Sequence, residues 1–265
     1  MNYQKELEFA RRIALVAGEN AKTMREHGVS VETKPDDSPV TAADMENERL
    51  IREAIAQQFP EDGILGEEGS SKAGTSGRRW IIDPIDNTRD FTRNIRFWCV
   101  LIALLEADES IVGVAHFPML NETYYAVRGG GAFMNQERLQ ASSIQSISKS
   151  VFCPNGLHLA AARPYLAQVI DLMQHSWCIR TCGGALEACL VAAGKADIWF
   201  EAKVAPWDLA ALKLIIEEAN GVFFALDGSR AIDKGTAIGC APGVAAEVRH
   251  AFAISGRAER SSADA

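Results

Sequence analysis

The sequence lacks the features of membrane-spanning, secreted and disulfide-rich proteins. Its longest apolar run, residues 99–105, is far shorter than a bilayer span. No basic segment followed by an apolar core, as in a signal peptide, opens the chain. The six cysteines form no Cys-x-x-Cys pair and have no histidine nearby at zinc-ligand spacing. We therefore predict reduced cysteines, no membrane partner and a cytoplasmic location.

The chain also lacks an excess of positive charge. Its 27 Lys and Arg residues stand against 35 Asp and Glu, for a formal net charge of −8. A sequence-independent nucleic-acid binder needs a basic face to neutralise phosphates, so we predict no nucleic-acid partner. No Walker or Gly-x-Gly-x-x-Gly motif is present. A small anionic substrate is compatible with this charge, because a bound metal ion reverses the local sign.

Hydrophobic spacing predicts a chain of two parts. The first part has helical periodicity at residues 7–24 and 41–59, then apolar strands at 64–65, 80–82, 98–105, 111–117 and 123–127. The second part alternates strands with helices. Its predicted helices are residues 157–174, 185–193, 207–219 and 244–252, and its predicted strands are 177–180, 197–200 and 222–224. We predict a layered α/β fold whose halves, 1–140 and 141–265, form one compact unit.

Four segments are predicted to lack regular structure. Residues 32–39 contain two prolines and are expected to form an exposed loop, and residues 70–77 a flexible Ser/Gly loop. Residues 129–131 are interpreted as a glycine turn, and the polar tail at 256–265 is expected to fray.

Acidic residues follow or begin apolar elements in three separate segments. They are Glu67 and Glu68 in LGEEGS, Asp83 and Asp86 in WIIDPIDNT, and Asp208 in PWDLAA. Carboxylates from several elements suit a hard cation, because magnesium prefers oxygen ligands and adds substrate phosphate to its shell. Two such ions a few Å apart hold an attacking water and a leaving oxygen together.

Each segment also has an ordinary structural interpretation. Asp208 at a helix start suits an N-cap, and the aspartates of the second segment suit turns. The glutamate pair of the first segment is common on protein surfaces. Spacing alone leaves the choice between these interpretations and a metal site open.

Longer strings in these segments resemble the signatures of the inositol monophosphatase family. WIIDPIDNTRDF is very similar to the family's first signature, PWDLAALKLIIEEANG to its second, and LGEEGS to the glutamate motif before the first. SPVTAAD and GGGAFMNQERLQAS also fit, and the similarity runs over nearly the whole chain. The resemblance implies a magnesium-dependent phosphomonoesterase with an alternating αβαβα sandwich of the inositol monophosphatase and fructose-1,6-bisphosphatase type. It also implies a homodimer and sensitivity to lithium.

The resemblance assigns metal ligands to positions in this sequence. Glu67, Asp83 and the backbone carbonyl of Ile85 would bind a first Mg²⁺. Asp83, Asp86 and Asp208 would bind a second, and a weaker third ion would use Glu67 through waters.

The same resemblance implies direct in-line attack of water on phosphorus, without a phosphoenzyme. Thr88, with Glu67 and a metal ion, would position and deprotonate the water, and Asp44 matches a family aspartate that supports this threonine. Thr41-x-x-Asp44 also has the form of a helix capping box, so both roles stay open for Asp44. No cysteine or serine nucleophile motif competes, and three scattered histidines are interpreted as structural: His116, His158 and His175.

Substrate contacts are also implied by the resemblance. Asn87 replaces the family's usual glycine beside the phosphate, where asparagine preserves the loop if φ is positive but narrows the substrate range or slows the reaction. Glu201 matches a family glutamate that would accept hydrogen bonds from hydroxyls or pair with an amine. The same pocket is expected to include Thr88 and, from the second half, Gly183, Gly184 and Ala185.

Two candidate substrates are favoured over the others. Inositol monophosphate is placed first as the family's broad default, with histidinol phosphate a close second. Arg89, the run WCVLIALL and LGEEG look more like the histidinol-phosphatase branch. Fructose bisphosphate and nucleotide phosphates are less favoured. An alternative of another class is a non-catalytic binding partner in a transcription complex, which the retained carboxylates oppose.

Overall fold

Residues 3–34, 39–69, 71–161 and 163–254 are described by the computed structural model, and they form helices and strands in alternating layers. The predicted positions 35–38, 70 and 256–265 lie outside these ranges. The α-helices are α1 (Gln4–His27), α2 (Ala42–Gln58), α3 (Thr88–Thr92), α4 (Leu157–Ala160), α5 (Leu166–His175), α6 (Gly184–Ala192), α7 (Pro206–Glu218) and α8 (Ala245–Ala251).

The strands form a hairpin and two larger sheets. The hairpin pairs β1 (Val31–Thr33) with β2 (Pro39–Thr41). The first sheet has the order β10-β9-β8-β7-β6-β5-β3-β4. Its strands are β3 (Gly63–Gly66), β4 (Ser71–Lys72), β5 (Arg78–Asp86), β6 (Cys99–Glu106), β7 (Glu109–Phe117), β8 (Glu122–Val127), β9 (Gly131–Met134) and β10 (Glu137–Arg138). The second sheet, β12-β11-β13-β15-β14, contains β11 (Val151–Asn155), β12 (Cys178–Ile179), β13 (Ile198–Glu201), β14 (Val222–Phe224) and β15 (Ala237–Cys240).

Strand β6 contains a seven-residue apolar run because helices cover both faces of its sheet. Val100, Ile102 and Leu104 join the core packed against α1 and α2. Leu101 and Ala103 point the other way, into the core shared with α6 and α7. Because successive side chains of a strand alternate between faces, a strand with helices on both sides is apolar at every position.

The second sheet completes the layers. Trp199 of β13 packs into the central core with α6 and α7. Phe152 and Phe200 face the opposite way, into a third core that α5 and α8 also line. The order is therefore α1 and α2, first sheet, α6 and α7, second sheet, then α4, α5 and α8. The predicted αβαβα sandwich is confirmed.

One predicted helix, residues 157–174, is wrong. The structure has α4 up to Ala160 and begins α5 only at Leu166. Pro164 explains the break, because it has no N–H to donate to the carbonyl one turn earlier and disfavours helical backbone at Arg163. Strands β9, β10, β11 and β15 have no counterpart among the predicted strands. Two predicted loops are also wrong in part, because β1 and β2 extend into residues 32–39 and β4 lies within residues 70–77. The division at residue 140 stays a prediction.

The expectations about cysteines and membrane spans have counterparts in the structure. All six cysteines are unpaired, and four of them are buried: Cys99, Cys153, Cys189 and Cys240. Among the residues described, no helix combines the length and apolar character needed to cross a bilayer. The cytoplasmic location stays a prediction.

Candidate active site

Two of the predicted carboxylate ligands lie at the end of β5, where this strand bulges against β6. Asp83 pairs with Leu101 and Asp86 with Cys99, so three steps along β5 match two along β6. Without the extra residue, side chains three positions apart would point to opposite faces of the sheet. Pro84, which has no N–H for the ladder, lies within the bulge. The irregularity brings both carboxylates to one side.

Helix α7 brings the third aspartate to the same place. Asp208 is the third residue of the helix, and its Oδ2 accepts the N–H of Ala205 at 2.8 Å. The N-cap is Ala205 and Pro206 is the first helical residue, so the interpretation of Asp208 as the N-cap is wrong. The helix lies close against β7 because Gly113 has no side chain; a Cβ there would lie 2.7 Å from the carbonyl oxygen of Ala211.

The three aspartates form a compact acidic cluster. Carboxylate oxygens of Asp83, Asp86 and Asp208 lie within 4.8 Å of one another. Burial, and then the neighbouring carboxylates, raise the pKa of Asp83 well above its ordinary value. Burial is also the main cause that raises the pKa of Asp86 to about 7 and that of Asp208 to about 8. Such a group repels itself unless protons or a cation balance it, and its all-oxygen donors fit a hard divalent ion.

Glu67 lies beside this cluster and is held by a lysine from the β1–β2 connection. Its N–H donates to the carbonyl of Ile82 at 3.2 Å, which extends the pairing of β3 with β5. Lys34 Nζ bonds Glu67 at 2.9 Å and Glu68 at 2.8 Å. The charge of Glu67 contributes to the raised pKa of Asp83, so the two carboxylates are within electrostatic reach. Burial raises the pKa of Glu68 to about 7.

Thr88 and Asp44 are in contact. The hydroxyl of Thr88 lies 3.3 Å from Asp44 Oδ1 and 3.2 Å from the carbonyl oxygen of Ile85, and can donate to either. Asp44 Oδ2 accepts both the backbone N–H and the hydroxyl of Thr41, at 2.7 and 2.5 Å. The capping box and the support of Thr88 therefore coexist, one on each carboxylate oxygen. Burial raises the pKa of Asp44.

Asn87 adopts the left-handed conformation that its position requires. Its φ is 64° and it is the N-cap of α3. Asparagine tolerates this region better than most residues that carry a Cβ. Its Nδ2 donates to the carbonyl of Phe97 at 3.2 Å, and the side chain lies against Gly183 and Gly184. The side chain is thus packed beside the site rather than projecting across it.

These residues surround a cavity of about 290 Å³. Eleven of the predicted site residues line it: Glu67, Asp83, Ile85, Asp86, Asn87, Thr88, Gly183, Gly184, Ala185, Glu201 and Asp208. Asp44 lies behind Thr88 instead. The structure thus brings all twelve together, and their individual roles stay predictions.

A further buried acid, Glu201, lines the cavity. Glu201, at the end of β13, is only 7% exposed, and its Oε1 accepts the indole N–H of Trp199 at 3.2 Å. Burial, with a further contribution from the charge of Asp86, raises the pKa of Glu201 well above its ordinary value. The N–H of Ala185 points at Asp86 Oδ2 at 3.4 Å, linking α6 to the cluster.

Several further wall residues were not identified from the sequence. Asn155, Lys203 and His158 line the cavity, although His158 is interpreted above as structural. Asn155 donates through Nδ2 to the buried Glu187. A signal for Asn155 exists, because a polar residue at the carboxyl end of a parallel strand lies where open α/β sheets bind ligands. Glu187, inside a predicted helix, offers no such signal.

Comparison with known proteins gives the family. A sequence profile of the Inositol monophosphatase family matches residues 2–256. A histidinol-phosphatase from Mycobacterium tuberculosis is 40% identical over 214 residues, covering 78% of this chain and 82% of that one. An inositol-1-monophosphatase from Rhizobium meliloti is 39% identical over 186 residues, covering 69% and 70%. The structure of the extragenic suppressor protein suhB from Bartonella henselae matches with a TM-score of 0.87 and 29% identity, covering 94% and 98%.

The fold, the acidic cluster and these relatives define a phosphoric monoester hydrolase of a metal-dependent class. The chain belongs to the inositol monophosphatase family.

Proposed function

We propose that the protein hydrolyses the phosphate monoester of a small metabolite that carries an amine, with histidinol phosphate as the leading candidate and Mg²⁺ as the metal. The observation that carries this proposal is the buried carboxylate of Glu201 in the same cavity as the three aspartates. A phosphate held at the aspartates leaves the organic part of the substrate to meet Glu201. A buried carboxylate favours a cationic partner, because an unpaired buried charge is costly.

Histidinol phosphate is thus placed before inositol monophosphate, whereas the sequence alone favours inositol monophosphate. Inositol monophosphate is the family's default, and its hydroxyls would also donate to Glu201. The relative named histidinol-phosphatase covers more of this chain, at 40% identity, than the relative named inositol-1-monophosphatase at 39%. Histidinol offers a primary ammonium group as well as an imidazole N–H, so it can place a positive charge beside Glu201. Inositol monophosphate remains the second candidate.

The proposed reaction is attack of water on phosphorus in line with the leaving alkoxide. Magnesium, when bound, would neutralise phosphoryl oxygens and favour ionisation of the water. Asp83, Asp86 and Asp208 would hold the ions, with Glu67 and the carbonyl of Ile85. The three aspartates must shed the protons that their raised pKa values favour, so metal binding releases protons.

Thr88 would orient the attacking water. Its Oγ1 has a lone pair for the water proton, because its own proton is donated to Asp44 or to the carbonyl of Ile85. Asp44 is fixed by the hydrogen bonds from Thr41, so its Oδ1 is held in place as an acceptor for the hydroxyl of Thr88. A preoriented acceptor of this kind lowers the barrier for deprotonating the water.

The test compares kcat/KM for histidinol phosphate and inositol 1-phosphate at saturating Mg²⁺, in the wild type and in Glu201→Gln. We expect the wild type to prefer histidinol phosphate, and E201Q to lose that preference by roughly tenfold or more, since a charged pair is lost. The control is Glu218→Gln. Glu218 does not line the cavity, and its carboxylate accepts the backbone N–H groups of Gly129 and Gly131. A wild-type preference for inositol 1-phosphate would favour the second candidate.

The assembly and inhibition implied by the resemblance remain to be tested with the same preparation. Sedimentation would report a homodimer as twice the chain mass of 28.8 kDa. Lithium titration at fixed Mg²⁺ would report the second metal site, since activity unchanged at high lithium counts against a family-typical site.

A further inference from the structure

Glu187 is a buried acid that ties two walls of the cavity together. It lies in the first turn of α6 with no solvent-exposed surface. Its Oε1 accepts the backbone N–H groups of Cys182 and Gly183, the latter at 3.3 Å, and its Oε2 accepts Nδ2 of Asn155. Burial raises the pKa of Glu187, and the three donors that converge on its carboxylate act in the opposite direction by stabilising the ionised form.

This contact determines which way the amide of Asn155 faces. An ionised carboxylate can only accept hydrogen bonds, so the amide must turn its NH₂ group towards Glu187. Asn155 lines the cavity, and its carbonyl oxygen is the atom left to offer there. Glu187 therefore makes Asn155 a hydrogen-bond acceptor towards the substrate.

Asn155 and Glu201 present their side chains together. They are register partners at the ends of the adjacent parallel strands β11 and β13. Register partners on neighbouring strands point to the same face of a sheet, and both residues line the cavity. These two residues therefore form an acceptor wall within the cavity, an amide oxygen beside a carboxylate, and Lys203 also lines the cavity.

We propose that Glu187 is a positioning residue for substrate selection: by orienting Asn155, it sets an acceptor wall that selects substrates carrying an ammonium or N–H donor. The inference rests on the proposed function, because it concerns the same cavity. Glu187 itself does not line the cavity and acts through the orientation of the Asn155 amide.

The decisive variant is Glu187→Gln. Its amide can still accept from the N–H of Cys182, but it turns an NH₂ group towards Asn155. Asn155 must then flip to accept, and its own NH₂ turns into the cavity as a donor. The readout is the ratio of kcat/KM for histidinol phosphate to kcat/KM for p-nitrophenyl phosphate, whose ring carries no N–H or O–H donor. We expect E187Q to lower this ratio at least tenfold, mainly through KM for histidinol phosphate.

A second substitution keeps the test independent of folding losses. Asn155→Asp in the E187Q background restores an acceptor, because the new carboxylate accepts from the amide introduced at position 187 and still faces the cavity with its other oxygen. We expect the double variant to recover most of the lost ratio. The control Asp197→Asn removes a buried acid that holds the N–H of Val151 at the opposite end of the same strands. It should lower the thermal midpoint without moving the ratio.

The outcomes separate this inference from the proposed function. Equal losses on both substrates in E187Q, or no recovery in the double variant, would assign Glu187 to loop support and overturn the inference. A loss of Mg²⁺ affinity proportional to the loss of activity would do the same. Failure of the wild type to release phosphate from either substrate with Mg²⁺ would instead overturn the proposed function.

Discussion

The hydroxyl of Thr88 lies 3.3 Å from Oδ1 of Asp44, 44 residues earlier in the chain. The other oxygen of Asp44 is bound to Thr41 and closes the capping box of α2. One buried carboxylate thus stabilises a helix start and restrains the residue proposed to orient water. A helix cap that is fixed by its own hydrogen bonds is a rigid support for a catalytic group.

Asp44→Asn is expected to lower kcat by roughly 10- to 100-fold with little change in the Mg²⁺ requirement. If the side-chain oxygen of the new asparagine keeps the hydrogen bonds from Thr41, its NH₂ group faces Thr88. The Oγ1 of Thr88 must then accept a hydrogen bond from this NH₂ group, whereas in the wild type it donates one to Asp44. Steady-state kinetics over a Mg²⁺ series would measure both quantities. Thr41→Val is the control, since it removes the cap hydroxyl at a cost of about 1 kcal/mol in stability but keeps the Asp44–Thr88 contact. Equal kcat losses in both variants would contradict the account.

Asp208→Asn is expected to abolish Mg²⁺-dependent turnover and to stabilise the metal-free protein by about 1–2 kcal/mol. The reason is that Asp208 is a buried acid whose pKa is raised to about 8, mainly by burial and then by the charge of Asp86, and the neutral amide removes the cost of burying this carboxyl group. Thermal unfolding in EDTA and in Mg²⁺ would show a metal-dependent shift for the wild type only. Asp171→Asn, in an exposed acid of α5, controls for net charge. A destabilised metal-free D208N would contradict the proposed cost of burial.

Position 87 tests the left-handed backbone beside the site. Asn87→Gly keeps φ near 64° accessible and loses the hydrogen bond to Phe97 and the side-chain contacts with Gly183 and Gly184, so kcat/KM should stay within about tenfold of wild type. Asn87→Val should lose far more, because a β-branched residue costs at least 1–2 kcal/mol in that region. The kcat/KM and the free energy of unfolding would be measured for both variants and compared. Similar behaviour of the two variants would show that the conformation does not matter.

The buried side chain of His116 is expected to make the stability of the protein depend on pH. Burial lowers its pKa from 6.5 to about 4, so the folded state disfavours its protonation. The contribution is fully present above pH 6.5 and is lost as pH falls towards 4, at most about 3 kcal/mol. Between pH 7.5 and 5, the unfolding free energy of the wild type should therefore fall about 2 kcal/mol more than that of His116→Gln. Parallel pH profiles for the two proteins in urea would contradict this.

Gly113→Ala tests the close contact between α7 and β7. The added methyl would lie 2.7 Å from the carbonyl oxygen of Ala211, so the helix must shift or the strand must deform. We expect a loss of about 1–3 kcal/mol in stability. Because Asp208 is carried by the same helix, Mg²⁺ affinity should fall as well. Urea unfolding and Mg²⁺ titration measure the two effects, and unchanged values of both would contradict the packing argument.

Much of this architecture is predictable from local sequence. The alternating cores of β6 follow from an uninterrupted apolar run, and the three acidic segments lie where apolar elements begin or end. The αβαβα order came from the resemblance, since periodicity cannot say which layers meet. The break before Pro164 was missed because the apolar spacing continues across it.

The parts of the site that were missed depend on distant partners. Glu187 has the spacing of an ordinary helix residue, and only the packed structure brings Asn155 to it from β11. Lys34 lies 33 residues from Glu67, in a segment predicted as an exposed loop. Contacts of this kind arise from tertiary packing, and no local pattern in a single sequence encodes them.

The most direct test of the central claim is phosphate release from histidinol phosphate by the purified wild type, with Mg²⁺ and with EDTA, beside D208N. The account predicts turnover that requires Mg²⁺, disappears in EDTA and is absent from the variant. Turnover that persists in EDTA or in D208N, or no release from any phosphate monoester with Mg²⁺ present, would contradict it.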